Sequence, residues 1–335
     1  MNEEQRNDRP KGEQNRKLNG WTVILLLIAG FLVVFGLVRL IDSALQQQES
    51  RKTDEEMRAL YHTPTPDPTL TPVPTDAPEP TPQFTKKAIQ GQDTEMPVSE
   101  TVAETEMPTP TPTPVPRLEE QEYSGNPGRN VGTRFQALRK ENKDIIGWLT
   151  IGKMVDEAVV QRDNEYYMNH NVKKQDDVSG AIFLDALVSL DTRPYALILY
   201  GHNMKTGARF GSLRNFENQH FYHKYPFISF DTLYEEGKYV IFSVGLVSTD
   251  ENDSHYLDFF ALNSRRIDER QQAIDTLQSV SLYSNEIDIR PDDQILLLVT
   301  CVEKDTDRRI VAARRIRDGE EQKTLKKLAE NSRRK

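Results

Sequence analysis

Residues 21–38, WTVILLLIAGFLVVFGLV, carry no charge, and polar or charged residues flank the run on both sides. As a helix at about 1.5 Å per residue the run spans roughly 27 Å, close to the thickness of a bilayer core. Leu40 and Ile41 lengthen it if Arg39 reaches back toward the interface. The pattern predicts a membrane-spanning helix over 21–41. A cleaved leader is the rival reading, but its apolar part is normally shorter. Asp42 and Gln46–Gln48 also stand where an A-x-A-like cleavage site would be expected. Arg6, Arg9, Lys11, Arg16 and Lys17 in 1–20 favour a cytoplasmic N-terminus, which places the rest of the chain outside the membrane.

Beyond residue 125 the pattern changes period. Residues 129–142 read as a helix with Val131, Phe135 and Leu138 on one face. Eight strand-like segments follow, at 147–151, 157–161, 180–184, 195–200, 227–231, 238–248, 294–300 and 309–316. Several are apolar throughout, so they have few solvated faces, and together they predict a mainly β, closed eight-stranded barrel. Two helical interruptions are expected. One is short, near Gly211–Phe216, and one spans about 264–282, where Ile267, Ala273, Ile274 and Leu277 share a face.

Composition sets what lies between. Residues 63–116 hold 14 of the 19 prolines, in runs such as TPTPDPTLTPVPTDAPEPTP. Alternating Thr-Pro removes backbone donors and holds each preceding residue extended, so the segment reads as a spacer with no core of its own. At about 3.1 Å per residue it reaches on the order of 150 Å. The expected organisation is a cytoplasmic 1–20, an anchor at 21–41, a linker at 42–124, a catalytic domain at 125–318 and a charged tail at 319–335. A net charge of −9 gives no basic footprint for nucleic acid. One cysteine excludes an intramolecular disulfide and is a poor basis for a zinc site. His220 and His223 on one helix face have no clear third ligand, and Asp250, Glu251 and Asp253 read as a solvated loop before a calcium site. No metal or cofactor is expected.

Candidate chemistry gathers at two strand ends. Leu296, Leu297, Leu298, Val299 and Thr300 form a buried strand that delivers Cys301, and the charged segment 303–307 follows. Most free cysteines are small buried hydrophobes, so position alone does not decide its role. The apolar strand 195–200 is broken by Gly201, which presents His202 at a second strand end. A barrel can bring two such ends together. A thiol beside an imidazole and a guanidinium gains thiolate character and becomes a nucleophile.

The motifs together resemble the class B sortases, cysteine transpeptidases of Gram-positive cell envelopes. LVTC at 298–301 is similar to the family's LxTC signature, and YGHNM at 200–204 to its histidine motif. DIIGWLTI (144–151), VVQRDNEYYMNH (159–170), GAIFLD (180–185) and FGSLRNF (210–216) also resemble class B segments, in the same order. The resemblance implies Cys301 as nucleophile and His202 as acid/base. It implies Arg309 as the third member, because Arg309 immediately precedes the apolar triplet Ile310-Val311-Ala312. Strand alternation allows only one of Arg308 and Arg309 to face Cys301. Thr300 and Asn203 are weaker substrate-contact candidates. The implied substrates are secreted proteins with a Pro- and Thr-containing C-terminal sorting signal. The implied acceptor is an amine of a peptidoglycan cross-bridge or a pilin lysine. Two alternatives stay open: a silent binding barrel, and a simple cysteine endopeptidase, although in papain-like enzymes the cysteine usually opens a helix and precedes the histidine.

Overall fold

The computed structural model describes residues 20–63, 116–302 and 306–335. The expected cytoplasmic segment before residue 20, nearly all of the Pro/Thr-rich spacer, and residues 303–305 lie outside them. Eight strands close a barrel: β1 (Ile145–Ile151), β2 (Val155–Val160), β3 (Ile182–Leu184), β4 (Ala196–Tyr200), β5 (Phe227–Thr232), β6 (Lys238–Ser248), β8 (Ile295–Cys301) and β9 (Asp307–Arg315). Their order around the barrel is β1-β2-β3-β4-β8-β9-β6-β5, closed by the antiparallel pairing of β5 with β1. These are the eight strands the apolar pattern predicts. Strands such as β4 and β8 are continuous in apolar residues because both of their faces are covered, whereas β5 alternates buried and half-buried positions. Ile295 through Val299 are all buried, and each large aliphatic side chain removed from water there contributes about 1.5–3 kcal/mol.

Helix α2 (Thr133–Glu141) packs Phe135 and Leu138 beneath the barrel. Helix α4 (Ile267–Ser279) buries Ala273, Ile274 and Leu277, the face read from its spacing. A 3-10 turn at Phe210–Glu217 and helix α3 (Gln219–Lys224) connect β4 to β5. A two-residue strand, β7 (Tyr283–Ser284), stands apart from the barrel.

The structure differs from the expected boundaries at both ends. Helix α1 runs Gly20–His62 without interruption, so it does not stop at residue 41. Residues 42–62 contain neither Gly nor Pro and are rich in strong helix formers, so nothing in them ends the helix. Its far end is docked on the barrel. Ser50, Thr53, Met57 and Tyr61 follow one another at helical spacing and are all buried. By contrast, Leu27, Phe31, Leu32 and Leu40 on the first half are exposed. The 319–335 tail is likewise folded onto the domain: α5 (Gln322–Glu330) buries Leu325 and Ala329, and β10 (Arg333–Arg334) pairs with β7. The chain also rejoins the domain before 125, where Leu118 N donates to Arg265 O at 2.7 Å and Tyr123 is buried.

Candidate active site

Strand register brings the thiol and the imidazole together. β4 and β8 are parallel neighbours, with Tyr200 opposite Val299. Carried two residues past that pair, the register sets His202 level with Cys301 at the same edge of the barrel. Two side-chain hydrogen bonds tie these ends. Thr300 Oγ1 donates to Gly201 O at 2.6 Å, and Asn203 Nδ2 donates to Cys301 O at 3.0 Å. Thr300 and Asn203, read from sequence as substrate contacts, therefore join the cysteine strand to the histidine loop. Asn203 Oδ1 is buried with no partner among the described residues.

Cys301 is exposed, unlike a packing cysteine. It opens on a cavity of about 210 Å³ lined by Asn164, Met168, Phe183, Tyr200, Gly201, His202, Val299, Thr300, Cys301 and Arg308. His202 Nε2 lies 2.6 Å from the Met168 carbonyl, which accepts from it and leaves Nδ1 as the other ring nitrogen. Met168 belongs to a 3-10 turn at Tyr166–Met168 in the long β2–β3 connection, which forms one wall of the cavity.

Arg309, the arginine implied by the motif, and its neighbour Arg308 are placed differently. β8 and β9 are antiparallel, with Cys301 opposite Arg308 and Thr300 opposite Arg309. Directly opposed residues share a face, so Arg308 stands with the thiol and Arg309 on the other side of the sheet. Arg308 lines the cavity. Arg309 is engaged elsewhere: its Nε donates to Glu217 Oε1 at 3.0 Å, and Nη2 bonds the same oxygen. Alternation sets the two arginines on opposite faces. The choice between them depended on the register across the 302–306 connection, which the sequence does not express.

The other candidates fall away from this cavity. His223 Nε2 meets Ser332 Oγ at 3.0 Å. Asp250 Oδ1 accepts from the backbone N–H and the side-chain amide of Asn252. Among the described residues no three His, Cys, Asp or Glu side chains form a group able to hold a metal ion.

A closed eight-stranded barrel presenting a thiol and an imidazole at adjacent strand ends is the architecture of the sortases, and the comparisons agree. The chain is 32% identical to sortase B of Listeria monocytogenes over 189 residues, covering 55% of this chain and 73% of that protein. It is 28% identical to sortase B of Staphylococcus aureus over 191 residues, covering 56% and 76%. The crystal structure of sortase B from Bacillus anthracis superposes with a TM-score of 0.55 at 24% identity, covering 82% of this chain and 99% of that one, and so supports the fold. No protein-family model matches. The chain belongs to the sortase B family, and its activity class is that of a cysteine transpeptidase.

Proposed function

We propose that the protein cleaves the C-terminal sorting signal of secreted proteins and transfers the new C-terminus to an amine of the cell envelope. The observation that carries this reading is the single cavity shared by exposed Cys301, His202 and Arg308. The Cys301 thiolate attacks the carbonyl carbon at the scissile bond, and a tetrahedral oxyanion forms. His202 in its protonated form gives its proton to the leaving amine as the C–N bond breaks, leaving a thioester on Sγ. The acceptor amine then attacks that thioester and loses its proton to His202. The C–S bond breaks, an amide forms, and the thiolate is regenerated. Arg308, permanently charged and fork-shaped, stabilises the oxyanion or an adjacent substrate carbonyl. It takes the part the sequence motif gave to Arg309.

The apolar lining from Met168, Phe183 and Val299 suits the Pro and Thr side chains of a short sorting pentapeptide. The acceptor is a peptidoglycan cross-bridge amine or a pilin lysine. Helix α1 anchors the enzyme through its exposed apolar half over residues 21–41, with the N-terminus cytoplasmic and the barrel outside.

The test uses the full chain in lipid vesicles with a library of quenched sorting-signal peptides, with and without an amine, and Cys301→Ala as control. Cleavage confined to Pro/Thr signals, lost in the variant and yielding amide product when amine is added, is the expected result. Cleavage of unrelated peptides with water as the only acceptor would identify a simple endopeptidase instead. Failure to cleave any peptide, with no acyl adduct on Cys301 in cells, would identify a silent binding barrel.

A further inference from the structure

Outside the cavity, Arg209 is a buried cation whose hydrogen-bond partners come from three separate segments of the chain. It is 1% exposed, and its backbone sits at φ 52°, ψ −123°. That is a left-handed conformation a non-glycine residue holds only where its surroundings over-determine it. They do so here. Nε donates to Gly180 O at 2.8 Å, Nη1 to Glu157 Oε2 at 2.6 Å and to Asp54 Oδ2 at 2.8 Å, and Nη2 to Ser50 Oγ at 3.0 Å. Asp177 stands 3.9 Å away. Two of these partners, Ser50 and Asp54, belong to α1.

The same arginine closes the loop that carries His202. Asn203 bridges Arg209, and Phe210 N donates to His202 O at 3.1 Å. Through Gly180 it also holds the β2–β3 connection. In that connection Ala181 N donates to Tyr167 O at 2.9 Å, and the neighbouring Met168 carbonyl is the one that meets His202 Nε2. Both structures that fix His202 therefore converge on one guanidinium, and α1 supplies part of its shell.

The rest of the α1 contact is extensive. Tyr61 stacks on Trp148 with ring centroids 4.3 Å apart and planes at 4°, and its hydroxyl donates to Asp231 at 2.5 Å. Arg58 and His62 meet Asp156, and Glu56 pairs with Lys173. The Pro/Thr-rich spacer leaves this docked helix after Thr63. The chain returns to the same domain at Pro116, whose carbonyl accepts from Ile267 N at 3.2 Å. Both ends of the spacer are thus on the barrel.

We propose that the juxtamembrane half of α1 is a built-in part of the active site, with Ser50 and Asp54 as positioning residues that act on His202 through Arg209. The barrel rides on the anchor helix itself, because the chain is docked on the barrel both at His62, before the Pro/Thr-rich segment, and at Pro116, after it. Only about eight residues, 42–49, separate the span from the docked part, roughly 12 Å of helix. This extends the anchored-transpeptidase reading and rests on it for the activity readout alone.

The full chain, carrying a recognition site for a sequence-specific protease after Gln83, is reconstituted in phosphatidylglycerol/phosphatidylcholine vesicles and cut. The barrel is expected to sediment with the vesicles after cleavage. Recovery of the barrel in the soluble fraction would overturn the docking. In the uncut chain, Met57→Asp with Asp54→Ala should lower kcat at least about tenfold with KM for the peptide changed less than about twofold. The conservative pair Met57→Leu with Asp54→Asn should restore it. Wild-type kcat in the disruptive pair would overturn the positioning role. If that pair loses its near-ultraviolet circular dichroism, Tyr61→Ala is read in its place by the same criteria. Sedimentation needs no turnover, so a wild-type chain that stays bound but cleaves no signal would refute the activity reading and leave the docking standing.

Discussion

Arg308 and Arg309 are adjacent on β9, and the pleat sends one toward the thiol and the other toward Glu217. The two positions should respond differently to the same change. Arg308→Ala is expected to lower kcat by about 10²- to 10³-fold, the usual cost of removing one oxyanion donor. Arg309→Ala should cost about 1 kcal/mol of stability, because its ion pair is partly exposed, and leave kcat nearly unchanged. Steady-state kinetics and thermal melts on the two variants decide between them; equal losses of kcat would return Arg309 to the site. Cys301 and His202 were legible in the sequence because each ends an unbroken apolar strand. Which of Arg308 and Arg309 shares the face of Cys301 was not legible. Alternation is a local rule, whereas register is set by pairing across a turn.

At the level of elements, the eight strands could be read because each is an apolar run or an apolar–polar alternation bounded by polar turns, and α4 because its apolar positions recur at helical spacing. The docked half of α1 could not. Its buried positions are Ser50, Thr53, Met57 and Tyr61, the first two polar, and two apolar positions are too few to mark a hydrophobic stripe. Arg209 gave no signal either, being one charged residue in a polar loop. The loop it closes depends on a close approach of backbone to backbone at Gly211. A Cβ placed there would lie 2.0 Å from the Met204 carbonyl oxygen, so the 203–211 loop would have to open. Gly211→Ala should cost about 1–3 kcal/mol, as overpacking does. In a domain of this size that lowers Tm by roughly 2–4 °C per kcal/mol. Because that loop follows His202 directly and Phe210 N donates to the His202 carbonyl, kcat should fall as well. A variant with an unchanged melt and unchanged kcat would show that the loop tolerates the methyl group.

For the whole molecule, the consequence of docking is a proton linkage between α1 and the barrel. Burial, with help from Glu157, pushes the Asp54 carboxyl up to about 6 against the pull of the Arg209 guanidinium. Once undocked into water the group returns toward its ordinary value of about 3.8. The docked state therefore binds the Asp54 proton more tightly. Its contribution to docking is complete below about pH 3.8 and is lost as pH rises through about 6. Other charged groups at the contact are Asp177 beside Arg209, the Arg58 and His62 pairs with Asp156, the Lys173 pair with Glu56, and Asp231 and Arg134 around Tyr61. In the chain cut after Gln83, the rate at which the barrel leaves the vesicles at pH 7 should fall roughly tenfold at pH 5, one proton being taken up across that window. His62→Gln removes the imidazole on α1 that meets Asp156 and should leave the trend in place. Asp54→Asn should flatten it. A release rate that ignores pH in the His62→Gln chain would mean that Asp54 does not titrate at this interface, and that its ion pair with Arg209 is held in one protonation state throughout.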